Sequence, residues 1–423
     1  LEGFKNFRDA TLQLGPLTVI VGTNASGKSN IRDAFRFLHG MGRGYSLAEI
    51  IGEKYVEGAE LVWKGIRGGI RDIGFNGSNR FDLKTEADLK VADGPTTKVS
   101  VVSSVRHQIK VGVNGGAYGP KVITESLSYG DSGFHTTPAG IQIPGRDGLS
   151  AIFNSDVKRG FGYNANKPIL PQVASEIGFG SLVSHADIPI NVRKRAGEYV
   201  QCLASMRFLD IFPDAAKNPS FPGQIVLGDR GENLSSVLLA ICEDKNAKRS
   251  VIEWVRQLTP LDVVDFEFVP DQTGRVLMTL IESSGRRTSA YSASDGTLRF
   301  LAIIAALMGP DAAKFYFLEE IDNGIHPTRL ALLLQLIEQQ TKLRGIQVVC
   351  TTHSPQLLAM LSDESRQHAS LVYRLEGATD AKIIRIVDIP GAKEVLETNN
   401  LARLHESGWL EDAVSFANTT ETP

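Results

Sequence analysis

Cysteine is scarce in this chain: Cys202, Cys242 and Cys350 are the only three among 423 residues. Scattered and odd in number, they form neither a metal-ligand spacing nor a disulfide framework, which points to a reducing cytosol. Long hydrophobic runs are missing as well. The longest strongly apolar stretch, Phe300 to Met308, is far too short for a bilayer span. No signal peptide is visible. An excess of basic charge is also absent: Lys+Arg 45 against Asp+Glu 48 leaves a net charge of -3. That excludes a wholly basic nucleic-acid coat but leaves room for a local basic groove. There is no internal repeat and no low-complexity tract. The expectation is a soluble, cytoplasmic, globular chain that makes no use of a membrane, and its length favours two lobes over one core. It opens at Leu1 inside a plausible strand, so a short preceding piece is expected.

Against these absences stands a complete phosphate-binding loop. Gly22, Thr23, Asn24, Ala25, Ser26, Gly27, Lys28 and Ser29 follow a buried-strand pattern (17–21) and open a helical one (28–39), the context that a Walker A match requires. Gly22 and Gly27 let the backbone curl so that amides converge on phosphates, and the helix start adds its positive dipole end. Lys28 is expected to reach the β- and γ-phosphates, and the Ser29 hydroxyl to ligate Mg2+. Asn24, Ala25, Ser26 and Asn30 complete the expected nucleotide-binding segment.

Almost three hundred residues later, Phe315–Leu318 is an apolar strand ending in Glu319 and Glu320. Ligands gather at such strand ends in open parallel sheets. Glu319 is the expected metal holder and Glu320 the residue that orients an attacking water. Many such strands end in Asp then Glu; Glu at the first position lengthens the reach to the metal. Ser294, Asp295, Gly296 and Thr297 begin an apolar helix and form a second anion-ready N-terminus, read as closing over the nucleotide of another subunit. An ordinary N-cap is the alternative there. His353 follows another buried strand and is a candidate γ-phosphate sensor. Asp322, in the turn after the carboxylates, is a candidate to cross to a partner subunit.

The pattern along the chain suggests three segments. Residues 1–40 are the N-terminal part of a nucleotide-binding core, 41–225 an inserted lobe of strands then helices, and 226–423 the rest of the core. Within the insertion, strands are expected at 60–63, 81–85, 98–102 and 107–113, and a helix over 192–208. Helices are expected over 297–308 and 327–341, with a hairpin around 271–274. A C-terminal helix pair is expected within 393–416, most simply packed on its own core.

Together these residues resemble the ATP-binding-cassette ATPases of the SMC/RecF branch. The nearest likeness is to small bacterial ATPases related to the OLD proteins and to the PtuA subunit of Septu-type defence systems. The resembling segments are Asn6-Phe7, the loop through Asn30, 231–234, 294–297, 319–327 and 352–355. The resemblance implies an α/β, ABC-type P-loop ATPase head carrying a mixed insertion. It also implies a head-to-tail homodimer sandwiching two ATP molecules with Mg2+, each held by one subunit's loop and the other's Ser294. Gln108 and Gln172 are the candidates for the family's Q-loop glutamine. A separately encoded effector nuclease in anti-phage defence is the implied partner. Residues 375–380 superficially resemble the opening of a Toprim nuclease, but no downstream Asp-x-Asp follows, so no intrinsic nuclease domain is expected and a hairpin turn is preferred. Two other readings stay open: a RecF-like repair ATPase binding DNA through the inserted lobe, with Arg193–Arg195 and Arg286-Arg287 as its basic spots, and a nucleotide-sensing scaffold with little turnover.

Overall fold

The computed structural model describes residues 1–92, 100–114, 119–138, 148–153, 158–175, 188–323, 325–392 and 413. The helix pair expected within 393–416 therefore lies, but for residue 413, outside the described residues. The chain divides into two compact units, one of residues 1–11, 29–205 and 374–382, the other of residues 12–28, 206–373 and 383–423.

The first unit is built on an eight-stranded sheet. Its order is Lys158–Asn164, Gly148–Phe153, Ser132–Pro138, Lys121–Tyr129, Ser100–Gly112, Arg80–Ala92, Glu2–Phe4 and Phe7–Asp9. All its registered pairings are antiparallel. The N-terminal strands thus complete a sheet made mainly from the middle of the chain. Where the pattern suggests separate strands at 98–102 and 107–113, one continuous strand, Ser100–Gly112, runs beside Arg80–Ala92 from Ala92↔Ser100 to Arg80↔Gly112. The polar run Ser103-Ser104 masks this continuity, because the ladder, not the side chains, carries the strand through it. Phe4, Phe37 and Phe81 form an edge-to-face core, with Phe81 centred 5.4 Å from Phe4 and 5.3 Å from Phe37.

In the second unit a six-stranded sheet is ordered Arg207–Leu209, Phe315–Leu318, Gln347–Thr352, Leu17–Val21, Ala369–Tyr373 and Lys382–Arg385. Its registered pairings are parallel. Strands of a parallel sheet are covered on both faces, hence the unbroken burial of 17–21, 315–318 and 369–373. The edge strand Arg207–Leu209 corrects the helix expected over 192–208. That helix spans Ile190–Ala204 and is capped at Ser205, after which the chain extends to pair with Tyr316–Leu318. A short apolar run such as 206–209 fits either period, and tertiary pairing decides it. The expected hairpin around 271–274 is present between Val263–Pro270 and Val276–Glu282, extended by Arg287–Ser289. The α/β class is thus what the chain adopts.

Candidate nucleotide site

Parallel pairing puts three strand ends on one edge of the sheet, where open α/β sheets bind ligands. Thr352 partners Val21, so His353 emerges beside Gly22; Leu318 partners Cys350, so Glu319 and Glu320 emerge beside Thr351. The strand Gln347–Thr352 lies between the loop strand and the carboxylate strand, and its own end carries the histidine.

The loop is shaped by close approach. A Cβ at Gly22 would stand 2.2 Å from the Val372 carbonyl oxygen, so any side chain there would push the neighbouring strand away. Ala25 takes φ 61 and Gly27 φ 122, the left-handed turns that curl the loop back on itself. Lys28 is 6% exposed, and its ammonium donates to the carbonyls of Gly22 at 2.6 Å and Thr23 at 2.8 Å. It also lies 3.4 Å from Nδ1 of His353. Burial pulls the Lys28 pKa from 10.5 to about 8, with the Glu320 carboxylate opposing that shift. Lys28 opens the helix Lys28–Gly42, in which Ser29 and Asn30 follow. The Asn30 amide donates to Asn6 Oδ1 at 2.8 Å, tying the helix start to the first turn of the chain.

Glu319 and Glu320 stand just past the strand, not within it. Strand alternation, which would point neighbouring side chains to opposite faces, therefore does not orient them. Glu320 instead adopts φ 46. A left-handed conformation costs a non-glycine residue about 1–2 kcal/mol, so its surroundings must hold it there. The Glu320 amide donates to Thr351 Oγ1 at 3.0 Å, and the Ile321 amide to the Thr351 carbonyl at 3.2 Å. Glu320 Oε1 lies 4.0 Å from Nε2 of His353. Lys28, His353 and Glu320 thus form one contiguous row. In the following turn, one Asp322 carboxylate oxygen is buried without a hydrogen-bond partner among the described residues. Burial raises the pKa of the nearby Cys350 thiol, and Asp322 adds to that shift.

Ser294 is the N-cap of the helix Asp295–Met308: its Oγ accepts from the Thr297 amide at 3.2 Å. Ser294 is exposed, and a Cβ at Gly296 would meet nothing within 4 Å. The helix body, by contrast, is buried from Phe300 to Met308, so packing fixes the helix while its tip stays open.

The two Q-loop candidates are engaged elsewhere, in the first unit. Gln108 donates to Asp82 at 2.6 Å, and the Gln172 amide braces the turn at 164–168. Within the basic spots, Arg195 pairs with Glu198, Arg286 with Glu282, and Arg287 with Glu267. Sequence reasoning missed Thr351. Its signal was the pair of hydroxyls, Thr351 and Thr352, that closes a buried strand.

Residues 17–86 and 183–359, more than half of the chain, match the family model described as "AAA domain, putative AbiEii toxin, Type IV TA system". An "ATP/GTP phosphatase" of Helicobacter pylori is 36% identical over 76 residues, 17% of this chain and 20% of that protein. The match therefore spans well under two thirds of that relative's length. Among solved structures, an SMC head bound to the C-winged helix domain of ScpA is similar with a TM-score of 0.42 and 16% identity, covering 90% of this chain and 95% of that one. An Smc head domain with an extended coiled coil from Pyrococcus furiosus, bound to the C-terminal domain of ScpA, gives 0.41 and 14%, covering 94% and 97%. No described helix is long and apolar enough to cross a membrane. With its glycine loop, carboxylate strand and histidine along one sheet edge, and with that family model matched on both sides of residues 87–182, the chain belongs to this AAA-domain family.

Proposed function

We propose that the chain binds ATP at the 22–28 loop and hydrolyses it, with Glu320 orienting the attacking water. The observation that carries this reading is the row Lys28, His353, Glu320, with gaps of 3.4 Å and 4.0 Å at one sheet edge. Lys28 supplies positive charge to the β- and γ-phosphates, and its buried ammonium exchanges bonds to two backbone carbonyls and a contact with the imidazole. His353 senses the γ-phosphate from between the loop and the carboxylate.

The oxygen donors of Ser29 and Glu319 suit Mg2+, which takes few protein ligands and completes its shell with phosphate and water. Bound there, Mg2+ would neutralise charge building on the phosphates.

The reading extends to a head-to-tail homodimer in which the exposed Ser294 and the half-buried Gly296 of one copy close on the nucleotide of the other, with Asp322 in the connecting turn. In it, 1–40 and 226–423 supply the nucleotide core and 41–225 the inserted lobe, and turnover controls a separately encoded effector, a nuclease in anti-phage defence of the OLD-like or PtuA kind. The internal pairing of Arg195, Arg286 and Arg287 favours this over direct DNA binding by those spots.

Phosphate release at saturating ATP, with and without Glu320→Gln, tests the chemistry; equal turnover removes Glu320 from its role. Sedimentation with ATP tests the pairing. The Glu320→Gln protein should form dimers that Ser294→Arg abolishes, and dimers indifferent to Ser294→Arg would exclude the shared site.

A further inference from the structure

We infer that Thr351 is the positioning residue for Glu320, holding its backbone in the left-handed turn that aims the carboxylate. The inference rests on the reading of Glu320 as the water-orienting group and adds the residue that sets its geometry. Three observations carry it. Glu320 is one of five non-glycine residues at positive φ among those described, and the only one of them at the carboxylate strand. Thr351 engages both amides of that turn: its hydroxyl accepts from Glu320 at 3.0 Å, and its carbonyl accepts from Ile321 at 3.2 Å. Thr351 is itself 3% exposed and locked in register against Ile20 of the loop strand, so the acceptor cannot drift.

Any residue supplies the carbonyl; only serine or threonine supplies the hydroxyl at this place. Without it the Glu320 amide loses its partner and the turn is free to relax toward right-handed φ, carrying the carboxylate with it. Misplacement of a reacting group by about 1 Å is enough to cost up to about a hundredfold in rate. Substrate binding, which depends on the loop and Lys28, is untouched by that relaxation.

The test is a series at one position. Thr351→Val keeps the shape and deletes the hydroxyl, Thr351→Ser keeps the hydroxyl and deletes the methyl, and Thr351→Ala deletes both. The expected result is a kcat for phosphate release about ten- to a hundredfold lower for Val and Ala, with Ser close to wild type and KM for ATP within about threefold throughout. Should the valine variant fail to fold, Ser and Ala, which differ only by the hydroxyl, decide the matter. Equal kcat for Ser and Ala, or a loss confined to KM, overturns the inference. Measured beside them, Glu320→Gln separates the two failures. If it is slow while the whole Thr351 series is fast, only the positioning role falls. If it is as fast as wild type, the reading of Glu320 falls and the positioning role with it.

Discussion

Glu125 and His107 lie 2.9 Å apart with both side chains fully buried, whereas Glu320 and His353 lie 4.0 Å apart with side chains 55% and 36% exposed. The residue types are the same and the surroundings are opposite. In the antiparallel sheet, the Glu125 carboxylate accepts from the amides of Ile169 and Leu170 as well as from the imidazole, and its own amide donates to Thr136. His107 Nδ1 has no hydrogen-bond partner among the described residues, so the contact with Glu125 runs through Nε2. Every oxygen of Glu125 is committed to holding a short helix onto a sheet. At the parallel edge the bonds go instead to the backbone of Glu320, and its carboxylate is left to solvent. Saturated side-chain bonding on ordinary strand backbone marks a structural pair. A constrained backbone beneath a half-exposed carboxylate is the opposite arrangement.

The comparison breaks first at Glu125. Replacing it by alanine strands three buried donors, so a loss of about 3–5 kcal/mol is expected in urea unfolding. A loss below about 1 kcal/mol would mean that the pair is not structural. Next comes Glu320→Gln, expected to slow phosphate release by about a hundredfold or more while shifting unfolding by no more than about 0.5 kcal/mol. Should that variant instead be strongly destabilised, the two pairs would be alike after all.

Lys28 sharpens the contrast through pH. Burial disfavours its charged form, so the ammonium loses its proton as pH rises through about 8. Phosphate favours the charged form, hence ATP affinity should fall by up to about tenfold per pH unit above that point, as titration calorimetry across the range would register. The sign for the protein alone is opposite: unfolded chains hold the extra proton between about 8 and the usual 10.5, so stability rises with pH across that window. Affinity that stays flat above pH 8 would show that the ammonium is not what holds the phosphates. The smallest effect belongs to exposed ion pairs. Arg286→Ala and Arg287→Ala should each change stability by less than about 0.5 kcal/mol and leave ATP turnover insensitive to added DNA. A DNA-stimulated rate lost in these variants would reopen the nucleic-acid reading.

Much of the site was legible in the chain because its parts are local. A glycine loop between strand and helix, and two acids after an apolar strand, need only a few neighbouring residues to be recognised. The left-handed turn at Glu320 was not legible, since it depends on a hydroxyl from a strand thirty-one residues away in sequence. Nor was the structural pair: His107 and Glu125 sit in adjacent strands whose register no single segment reveals. The strand at 207–209 escaped for the same reason, as only its alignment with 316–318 distinguishes it from a helix end. Gln108 and Gln172 show the converse case, candidates by residue type alone, whose hydrogen bonds run to Asp82 and to the 164–168 turn.

The strand Gln347–Thr352 is laddered on one flank to the loop strand and on the other to the carboxylate strand. Its tip bears both the imidazole beside Lys28 and the hydroxyl under Glu320. Sliding this ribbon by a single step would unseat both halves of the row at once, the contact to Lys28 and the hold on Glu320. Evolution can therefore retune neither half alone by altering its backbone, and variation between relatives should collect in side chains that hang from this middle rung rather than in the rung itself.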